Sequence, residues 1–345
     1  MALSVSSDAV FPQFDVVSGS NDHKYNSNTA SSNSGKEHQS GSSKLSKIMK
    51  EWKILEKNLP DSIFVRVYED RIDLMRAAIV GAAGTPYHDG LYFFDIAFPS
   101  DYPSRPPRVS YKSFGFRINP NLYESSYVCL SLLNTWSGKK KEMWNSEQST
   151  VLQVLVSIQA LVLNEKPYFN EPGLAGYRDL SRWEKASNAY DADIFVLCCK
   201  TMMFHLRKPP KHFEALVAGH FKERGTAILA ACDAYVNGEA GIGDYNSKSS
   251  PSSSSSSSSS FVSVQFKLSI QQLYPQLVAA FDKNVASSAT LIEQFERETE
   301  RETETKTTPC QSQKQSKGGI AKRLVGKLKK VFGFLIVKKK TERAS

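Results

Sequence analysis

The stretch INPNLYESSYVCLSLLNTW (residues 118–136) joins a rigid turn to a cysteine. Cys129 lies eight residues after the Asn-Pro-Asn turn, between two apolar runs. A lone cysteine is usually a small buried hydrophobic residue, and such a residue needs no rigid turn before it. The pattern therefore opens a second interpretation, in which the turn helps to present a nucleophilic thiol.

The residues before this stretch predict one helix and a sheet. Residues 44–58 place apolar side chains at helical spacing, with lysine and glutamate on the other face. Residues 62–68 alternate as a strand does, and two further apolar segments, 72–81 and 90–98, are separated by turn-forming residues. A proline-rich segment then leaves the sheet and returns as a short edge strand at 109–111. The short connections predict a four-stranded antiparallel meander.

The residues after the cysteine predict helices. Apolar spacing indicates a well-buried helix at 149–163, two more at 183–208 and 210–236, and a weaker one at 266–297. The predicted fold class is therefore α+β. An N-terminal helix and the meander precede a loop that carries Cys129, and helices follow.

Composition divides the 345 residues into segments. Residues 1–43 are rich in Ser, Asn and Gly and are predicted to be disordered, because they bury too little apolar surface to offset the entropy of folding. Residues 44–208 form the predicted catalytic domain and 209–245 a helical extension. The serine tract at 246–260 is a predicted linker. Residues 261–345 form a predicted helical, charged region.

The net charge of +9 belongs to the C-terminal tail. Residues 316–345 contain ten Lys or Arg and one acid, which leaves 34 basic and 34 acidic residues in the rest of the chain. We therefore expect no nucleic-acid binding by the folded core. The tail forms a predicted basic amphipathic helix, which suits a membrane surface or a protein groove; a nuclear-import patch is the competing interpretation. Its apolar face contains Ile320, Leu324, Leu328, Val331, Phe332 and Leu335.

The five cysteines show no CxxC pair and no His/Cys spacing typical of a metal site. An odd number of cysteines and no secretory signal indicate free thiols in a reducing compartment, which means the cytoplasm or the nucleus. The apolar run near the tail, VFGFLIV, is too short to span a bilayer. We expect a soluble protein, or one that is peripheral on membranes through its tail.

Four motifs together resemble the ubiquitin-conjugating (UBC) domain. FPSDYPSRPPRV is similar to that family's Phe-Pro-x-x-Tyr-Pro-x-x-Pro-Pro signature, and NPN stands where the family has His-Pro-Asn. VCLSLL resembles Ile-Cys-Leu-Asp-Ile-Leu, and KPYFNEPG takes the place of a proline-rich loop with acidic residues. The match covers roughly residues 44–200. The expanded loop with two tryptophans is closer to the large conjugating-enzyme/ligase hybrids and their plant relatives.

The resemblance implies that Cys129 carries ubiquitin as a thioester. Cysteine suits this chemistry because its thiolate is a strong nucleophile and a good leaving group, and the thiol is expected in a partly open loop. Attack on a thioester develops an oxyanion, and Asn121 is a candidate donor to it or an ordering residue for the loop. Pro120 and Asn119 are expected to hold Asn121 in place.

Three residues depart from the family pattern. Asn119 replaces the usual histidine, and an amide can donate and accept similarly. Ser131 replaces an aspartate two residues after the cysteine. Asn170 replaces an acid that orients the incoming lysine, although Glu171 adjoins it and is the second candidate for this catalytic role. Trp144 corresponds to a tryptophan that supports the active-site loop.

The resemblance also implies partners. The first helix is expected to meet the ubiquitin-activating enzyme through Lys47, Lys50 and Lys53, and Tyr111 falls where the family engages ligases. No cofactor or metal is expected, because the activating enzyme consumes the ATP.

The predicted function is transfer of ubiquitin from the activating enzyme to Cys129, and then to a substrate lysine or a ligase. Two alternatives remain open: an inactive ubiquitin-binding scaffold of the same fold, and an enzyme for another ubiquitin-like modifier. The presence of Cys129 favours an enzyme, whereas Asn119, Ser131 and Asn170 keep the scaffold under consideration.

Overall fold

The computed structural model describes residues 11–26, 40–178, 180–245 and 263–305, with side chains for 11–26, 44–178, 180–245 and 263–285. The predicted linker and the basic tail lie outside these residues. The chain divides into two units, 1–296 and 297–345. In the second unit the structure describes only the end of a helix.

Within the described residues, five strands form one sheet in the order β1-β2-β3-β4-β5. The four-stranded antiparallel meander and the α+β class are confirmed. The fifth strand, β1, was not predicted and adds a parallel edge beside β2. The strands are β1 Phe14–Val17, β2 Ile63–Tyr68, β3 Leu74–Val80, β4 Leu91–Ala97 and β5 Arg108–Tyr111.

The α-helices of the described residues lie close to their predicted positions. The helix predicted at 149–163 begins as an α-helix and ends in a π-helical turn, Ile158–Val162. The last helix is longer than expected. The helices are α1 Ser40–Asn58, α2 Val151–Ser157, α3 Glu184–Arg207, α4 Glu214–Asn237 and α5 Val264–Thr305. None of these described helices combines the length and apolarity needed to cross a membrane.

One face of the sheet packs on α1 and α2. Strand alternation places Val65, Ala77 and Phe94 side by side on this face, because the register pairs them across β2, β3 and β4. They belong to one buried cluster with Ile48 of α1 and Leu155 of α2.

A buried carboxylate connects the two helices of this layer. Glu51 of α1 accepts a hydrogen bond from the Val151 backbone N–H at 2.9 Å, at the first turn of α2. Its other oxygen accepts from the Tyr102 hydroxyl at 2.6 Å. A negative charge suits the unpaired N–H groups at a helix N-terminus. Glu51 therefore fixes the start of α2 relative to α1.

The opposite face of the sheet is also covered. The register aligns Phe64, Ala78 and Phe93 on this face. Ala78 and Phe93 are buried against α3, α4 and α5 in a second apolar cluster, whose members include Phe195, Phe213, Phe221 and Phe281. Both faces of the sheet therefore lie inside the protein.

The prediction that residues 1–43 are disordered is wrong for 11–26. Arg66 and Arg76 are buried on the second face of the sheet and require partners there. Residues 11–26 supply some of them: Arg76 pairs with Asp22 at 2.8 Å in addition to Asp95 of β4 at 2.6 Å, and the guanidinium of Arg66 lies 4.1 Å from the centre of the Phe11 ring. Composition alone missed this segment because a few specific contacts, rather than a large apolar surface, hold it.

Candidate active site

The Asn-Pro-Asn turn leads into a short two-stranded ribbon that carries Cys129. Leu122 and Val128 form an antiparallel bridge. The Cys129 backbone N–H donates to the Asn121 carbonyl at 2.9 Å. The Asn121 side chain donates back to the Cys129 carbonyl at 3.0 Å. The structure thus brings Asn121 and Cys129 together across the ribbon. The two roles expected of Asn121, ordering the loop and donating to an oxyanion, stay predictions.

Asn119 is the buried support of this turn. Its side-chain oxygen accepts from the Asn121 N–H at 2.8 Å, and its amide nitrogen donates to the Tyr87 hydroxyl and to the Val162 carbonyl, each at 2.7 Å. Asn119 therefore joins the turn to the π-helical turn that follows α2. Pro120 is buried between Asn119 and Asn121.

The π-helical turn after α2 makes this link possible. A helix ends with carbonyls that have no intrahelical partner, and here the Val162 carbonyl accepts from two side chains, Asn119 and Asn170. The Asn170 oxygen accepts from Asn164 at 2.8 Å. Asn170 thus ties the following loop to the turn, while its catalytic role stays a prediction.

Replacing Asn119 by alanine is expected to destabilise the fold by about 2 to 3 kcal/mol. The change leaves the Asn121 N–H and other buried polar groups without this partner, and each unpaired buried group costs about 1–3 kcal/mol. Urea unfolding followed by circular dichroism measures the effect. Asn58→Ala is the control, because the Asn58 amide is exposed and donates only to Ile54 of its own helix at 2.8 Å. Equal losses in both variants would contradict a supporting role for Asn119.

The Cys129 thiol is more enclosed than expected. The residue exposes 5 % of its surface, rather than lying partly open. Burial raises the pKa of the Cys129 thiol above its ordinary value, while a hydrogen bond from Tyr123 and the charge of Arg117 act in the opposite direction. The neutral thiol is therefore the resting form at neutral pH, and the fraction of thiolate grows as the pH rises.

Thr135 holds the backbone on both sides of the cysteine. Its hydroxyl donates to the Val128 carbonyl at 2.8 Å and accepts from the Leu130 N–H at 2.9 Å. Sequence reasoning missed Thr135. Its position just after the 3₁₀ turn Ser131–Leu133 was a usable signal, because Thr hydroxyls commonly bond nearby backbone groups. Ser131 opens that turn, two residues from the thiol.

Trp144 connects the expanded loop to the proline-rich segment. Its ring nitrogen donates to the Pro103 carbonyl at 2.7 Å, and its backbone N–H donates to Asn134 at 3.1 Å. Since Asn134 follows the turn that begins at Ser131, Trp144 anchors the loop next to the site. This placement agrees with the expected supporting role.

The lysines predicted to contact the activating enzyme lie on α1. Lys50 and Lys53 are exposed on α1 and Lys47 is half-buried, so these lysines present charge to solvent.

The prediction of Tyr111 as a ligase contact is wrong, because Tyr111 exposes only 1 % of its surface. Its ring packs in the core, with its centre 5.5 Å from that of Phe94. The prediction rested on the resemblance, which gives the position of Tyr111 in the chain but not the burial of its side chain.

The Glu171 carboxylate lies 3.5 Å from the Arg117 guanidinium. Arg117 and Tyr123 are further residues that sequence reasoning missed. The alternation of the ribbon was the available signal for Tyr123, since residues 121 and 123 must share a face.

Within the described residues, no group of three or more His, Cys, Asp or Glu is arranged to hold a metal ion.

Comparisons with known proteins agree with this geometry. The family model described as "Ubiquitin-conjugating enzyme" matches residues 47–193. The chain is 50 % identical to "Probable ubiquitin-conjugating enzyme E2 24" of Arabidopsis thaliana over 79 % of this chain and 29 % of that protein. It is 52 % identical to "Putative ubiquitin-conjugating enzyme E2 38" of the same plant over 66 % of this chain and 68 % of that protein.

A hybrid enzyme is also similar. The human "Dual E2 ubiquitin-conjugating enzyme/E3 ubiquitin-protein ligase BIRC6" is 43 % identical over 54 % of this chain and 4 % of that protein. The expected likeness to plant conjugating enzymes and to conjugating-enzyme/ligase hybrids is thus confirmed. The chain spans less than two fifths of the length of three of its Arabidopsis relatives. Because the match covers 68 % of a relative to which the chain is 52 % identical over the matched residues, and because the family model includes the turn and the thiol, the chain belongs to the ubiquitin-conjugating enzyme family.

Proposed function

We propose that Cys129 accepts ubiquitin from the ubiquitin-activating enzyme and passes it to a substrate lysine or to a ligase. The observation that carries the proposal is the ribbon, which places the Asn121 amide directly across from the cysteine. Family membership supports the same chemistry. At the departures from the family pattern, the Asn119 and Asn170 amides both donate to the Val162 carbonyl.

The reaction has two acyl-transfer steps. The Cys129 thiolate attacks the thioester carbonyl of ubiquitin on the activating enzyme, a new S–C bond forms, and the activating enzyme's thiolate leaves. A lysine amine then attacks the Cys129 thioester, an amide bond forms, the Cys129 thiolate leaves, and the amine gives up its proton to base or solvent. This chain needs no cofactor for either step, because ATP is consumed earlier by the activating enzyme.

Asn121 is the proposed donor to the oxyanion in both steps. In the resting structure its amide is bonded to the Cys129 carbonyl. In the proposed reaction this side chain turns towards the developing oxyanion, and one such donor is worth about 3–4 kcal/mol.

The proposed contact with the activating enzyme is the exposed lysine surface of α1, at Lys50 and Lys53 with Lys47 beside them. Contact of the basic tail with a membrane surface or a protein groove, and residence in the cytoplasm or nucleus, are further proposals that rest on composition.

Adduct formation tests the function and identifies the modifier. The purified chain is mixed with ATP, ubiquitin and its activating enzyme, and the products are separated on nonreducing and reducing gels. We expect an adduct that is lost with reductant and is absent without ATP. Parallel reactions use other ubiquitin-like modifiers with their own activating enzymes. An adduct with one of these alone would assign the chain to that modifier, and none with any of them would favour the scaffold.

A further inference from the structure

Four side chains share the outer face of the ribbon that carries Cys129. Leu122 bridges Val128, and the Tyr123 N–H donates to the Tyr127 carbonyl at 3.0 Å, so the pairs across the ribbon are 121 with 129 and 123 with 127. Leu122 and Val128 face inward and are buried. Because successive side chains point to opposite faces, Asn121, Tyr123, Tyr127 and Cys129 share the other face of the ribbon.

Tyr123 is the diagonal neighbour of Cys129 on that face. Diagonal positions in an antiparallel pair are about 7–8 Å apart, which an aromatic side chain can bridge. The Tyr123 hydroxyl lowers the pKa of the Cys129 thiol, which is the direction expected of a donor to the sulfur. Tyr123 itself is half-buried, so its ring has a defined place beside the thiol.

Arg117 holds the Tyr123 ring from the other side. The centre of its guanidinium lies 4.7 Å from the centre of that ring. One of its nitrogens donates to the Pro120 carbonyl at 3.2 Å and lies 3.5 Å from the Glu171 carboxylate. Arg117 thus contacts three segments at once: the turn before the ribbon, the ribbon itself and the loop after α2.

We propose that Arg117 is a positioning residue for Cys129, which stacks on Tyr123 so that the phenol hydroxyl donates to the sulfur, while Glu171 orients the guanidinium. The effect is to favour the thiolate in a site where burial opposes it. The inference deepens the proposed thioester function and rests on it for its catalytic meaning. It also gives Glu171 a different task from orienting the incoming lysine.

The electrostatics of the described groups agree with a hydroxyl that donates to a thiolate. Burial raises the pKa of Cys129, and Tyr123 and Arg117 lower it. Burial and then the Cys129 thiol raise the pKa of Tyr123, with Arg117 lowering it and Glu171 raising it. These are the titratable and charged groups that act on the pair. The same two charges act on Tyr190 of α3: burial raises the pKa of Tyr190 most, Arg117 lowers it and Glu171 raises it.

The arrangement is modest in energy. The Arg117 and Glu171 side chains are 43 % and 48 % exposed, and an exposed ion pair contributes little to stability. A cation–π contact at an exposed site is similarly weak. Loss of either contact should therefore leave the fold intact and change mainly the titration of the thiol.

Alkylation of Cys129 tests the inference without ubiquitin. The full chain is treated with iodoacetamide across a range of pH, and modification of the Cys129 peptide is followed by mass spectrometry. The variants are Tyr123→Phe, which keeps the ring and removes the hydroxyl, Arg117→Ala, and Arg117→Lys, which keeps the charge and loses the planar stack. Tyr127→Phe is the matched control, because it removes a hydroxyl from the same face of the ribbon where the side chain is 49 % exposed.

We expect the apparent pKa of Cys129 to rise by roughly half a unit to one unit in Tyr123→Phe and Arg117→Ala, and by less in Arg117→Lys. At neutral pH this corresponds to alkylation that is about three- to tenfold slower. Tyr127→Phe should match the wild type, and thermal unfolding should be the same in all five proteins.

Two outcomes overturn the inference. An unchanged pH dependence of alkylation in Tyr123→Phe would show that the hydroxyl does not act on the thiol. An unchanged pH dependence in Arg117→Ala would show that the arginine has no positioning role. Failure of the wild type to form a ubiquitin adduct would instead reject the proposed function, and the alkylation result would still stand by itself. In an active protein, the pH dependence of adduct formation should shift with the alkylation profile.

Discussion

Substitution of Cys129 by alanine is expected to abolish the ubiquitin adduct completely. In the proposed function the adduct is a thioester on this sulfur, and alanine has no nucleophile to replace it. Serine in place of Cys129 is expected to give either no adduct or a small amount of an ester that resists reductant, because a hydroxyl ionises far less readily than a thiol. Gels run with and without reductant distinguish a thioester from an oxygen ester.

The control for this experiment is Cys310→Ser, another cysteine of the same chain. It should form the wild-type amount of adduct. A reductant-sensitive adduct that persists in Cys129→Ala, or disappears in Cys310→Ser, would show that the acceptor thiol lies elsewhere in the sequence. The enclosed position of Cys129 adds a second expectation: adduct formation should accelerate as the pH rises, because burial raises the pKa of this thiol.

Removal of the C-terminal helices is expected to unfold the protein. A chain that ends after Lys208 lacks α4 and α5 and uncovers the second face of the sheet at Ala78 and Phe93. The apolar residues of α4 and of the turn before it that become unavailable include Phe213, Leu216, Val217, Phe221, Ile228 and Tyr235, all of them buried. Each such side chain contributes about 1.5–3 kcal/mol, and their sum reaches the entire stability of a typical domain, about 5–15 kcal/mol.

Size-exclusion chromatography and circular dichroism measure this effect. We expect the shortened chain to aggregate or to lack a cooperative unfolding transition. Two substitutions on α4 provide a graded comparison: Phe221→Ala should destabilise by about 3–5 kcal/mol, whereas the neighbouring exposed position, Lys222→Ala, should change stability by about 0.5 kcal/mol or less. A shortened chain that unfolds at the wild-type temperature would show that the helices are a dispensable attachment.

The close approach of α4 and α5 explains why their contribution is large. A side chain at Gly225 of α4 would place its β-carbon 3.1 Å from the Phe281 ring of α5. Glycine at this position permits the two helices to pack closely, and Phe281 in turn reaches Phe221, with ring centres 6.0 Å apart. Neither the glycine nor the pairing of these helices was evident from periodicity, because periodicity identifies an apolar face without its partner.

Much of the site was predictable because its elements are local in the chain. Asn119, Asn121 and Cys129 lie within eleven consecutive residues, and the turn and ribbon form largely among themselves. Trp144 followed from the resemblance. Tyr111 was misplaced because the resemblance marks its position in the chain but not the burial of its side chain, which the packing of distant segments decides. Arg117 and Glu171 are separated by more than fifty residues, so only the folded chain reveals their pairing.

The order of the segment 11–26 could not be predicted from its composition either. Its composition resembles that of a disordered chain, yet Asp22 and Phe11 reach buried arginines on β2 and β3. A buried charge imposes a strong demand for a partner wherever the fold places it, and a count of apolar residues does not include that demand.

By itself the sequence determined the α+β class, the meander, the positions of the helices, and the turn and thiol on which the proposed chemistry depends, because these follow from spacing and from contacts between near neighbours. The tertiary structure decided which surfaces are covered: both faces of the sheet, the enclosure of Cys129, and the meeting of Arg117, Tyr123 and Glu171 beside it. The physical reason is that burial and long-range pairing depend on which distant segments pack together, and that choice is made by the free energy of the whole fold rather than by any one stretch of the chain.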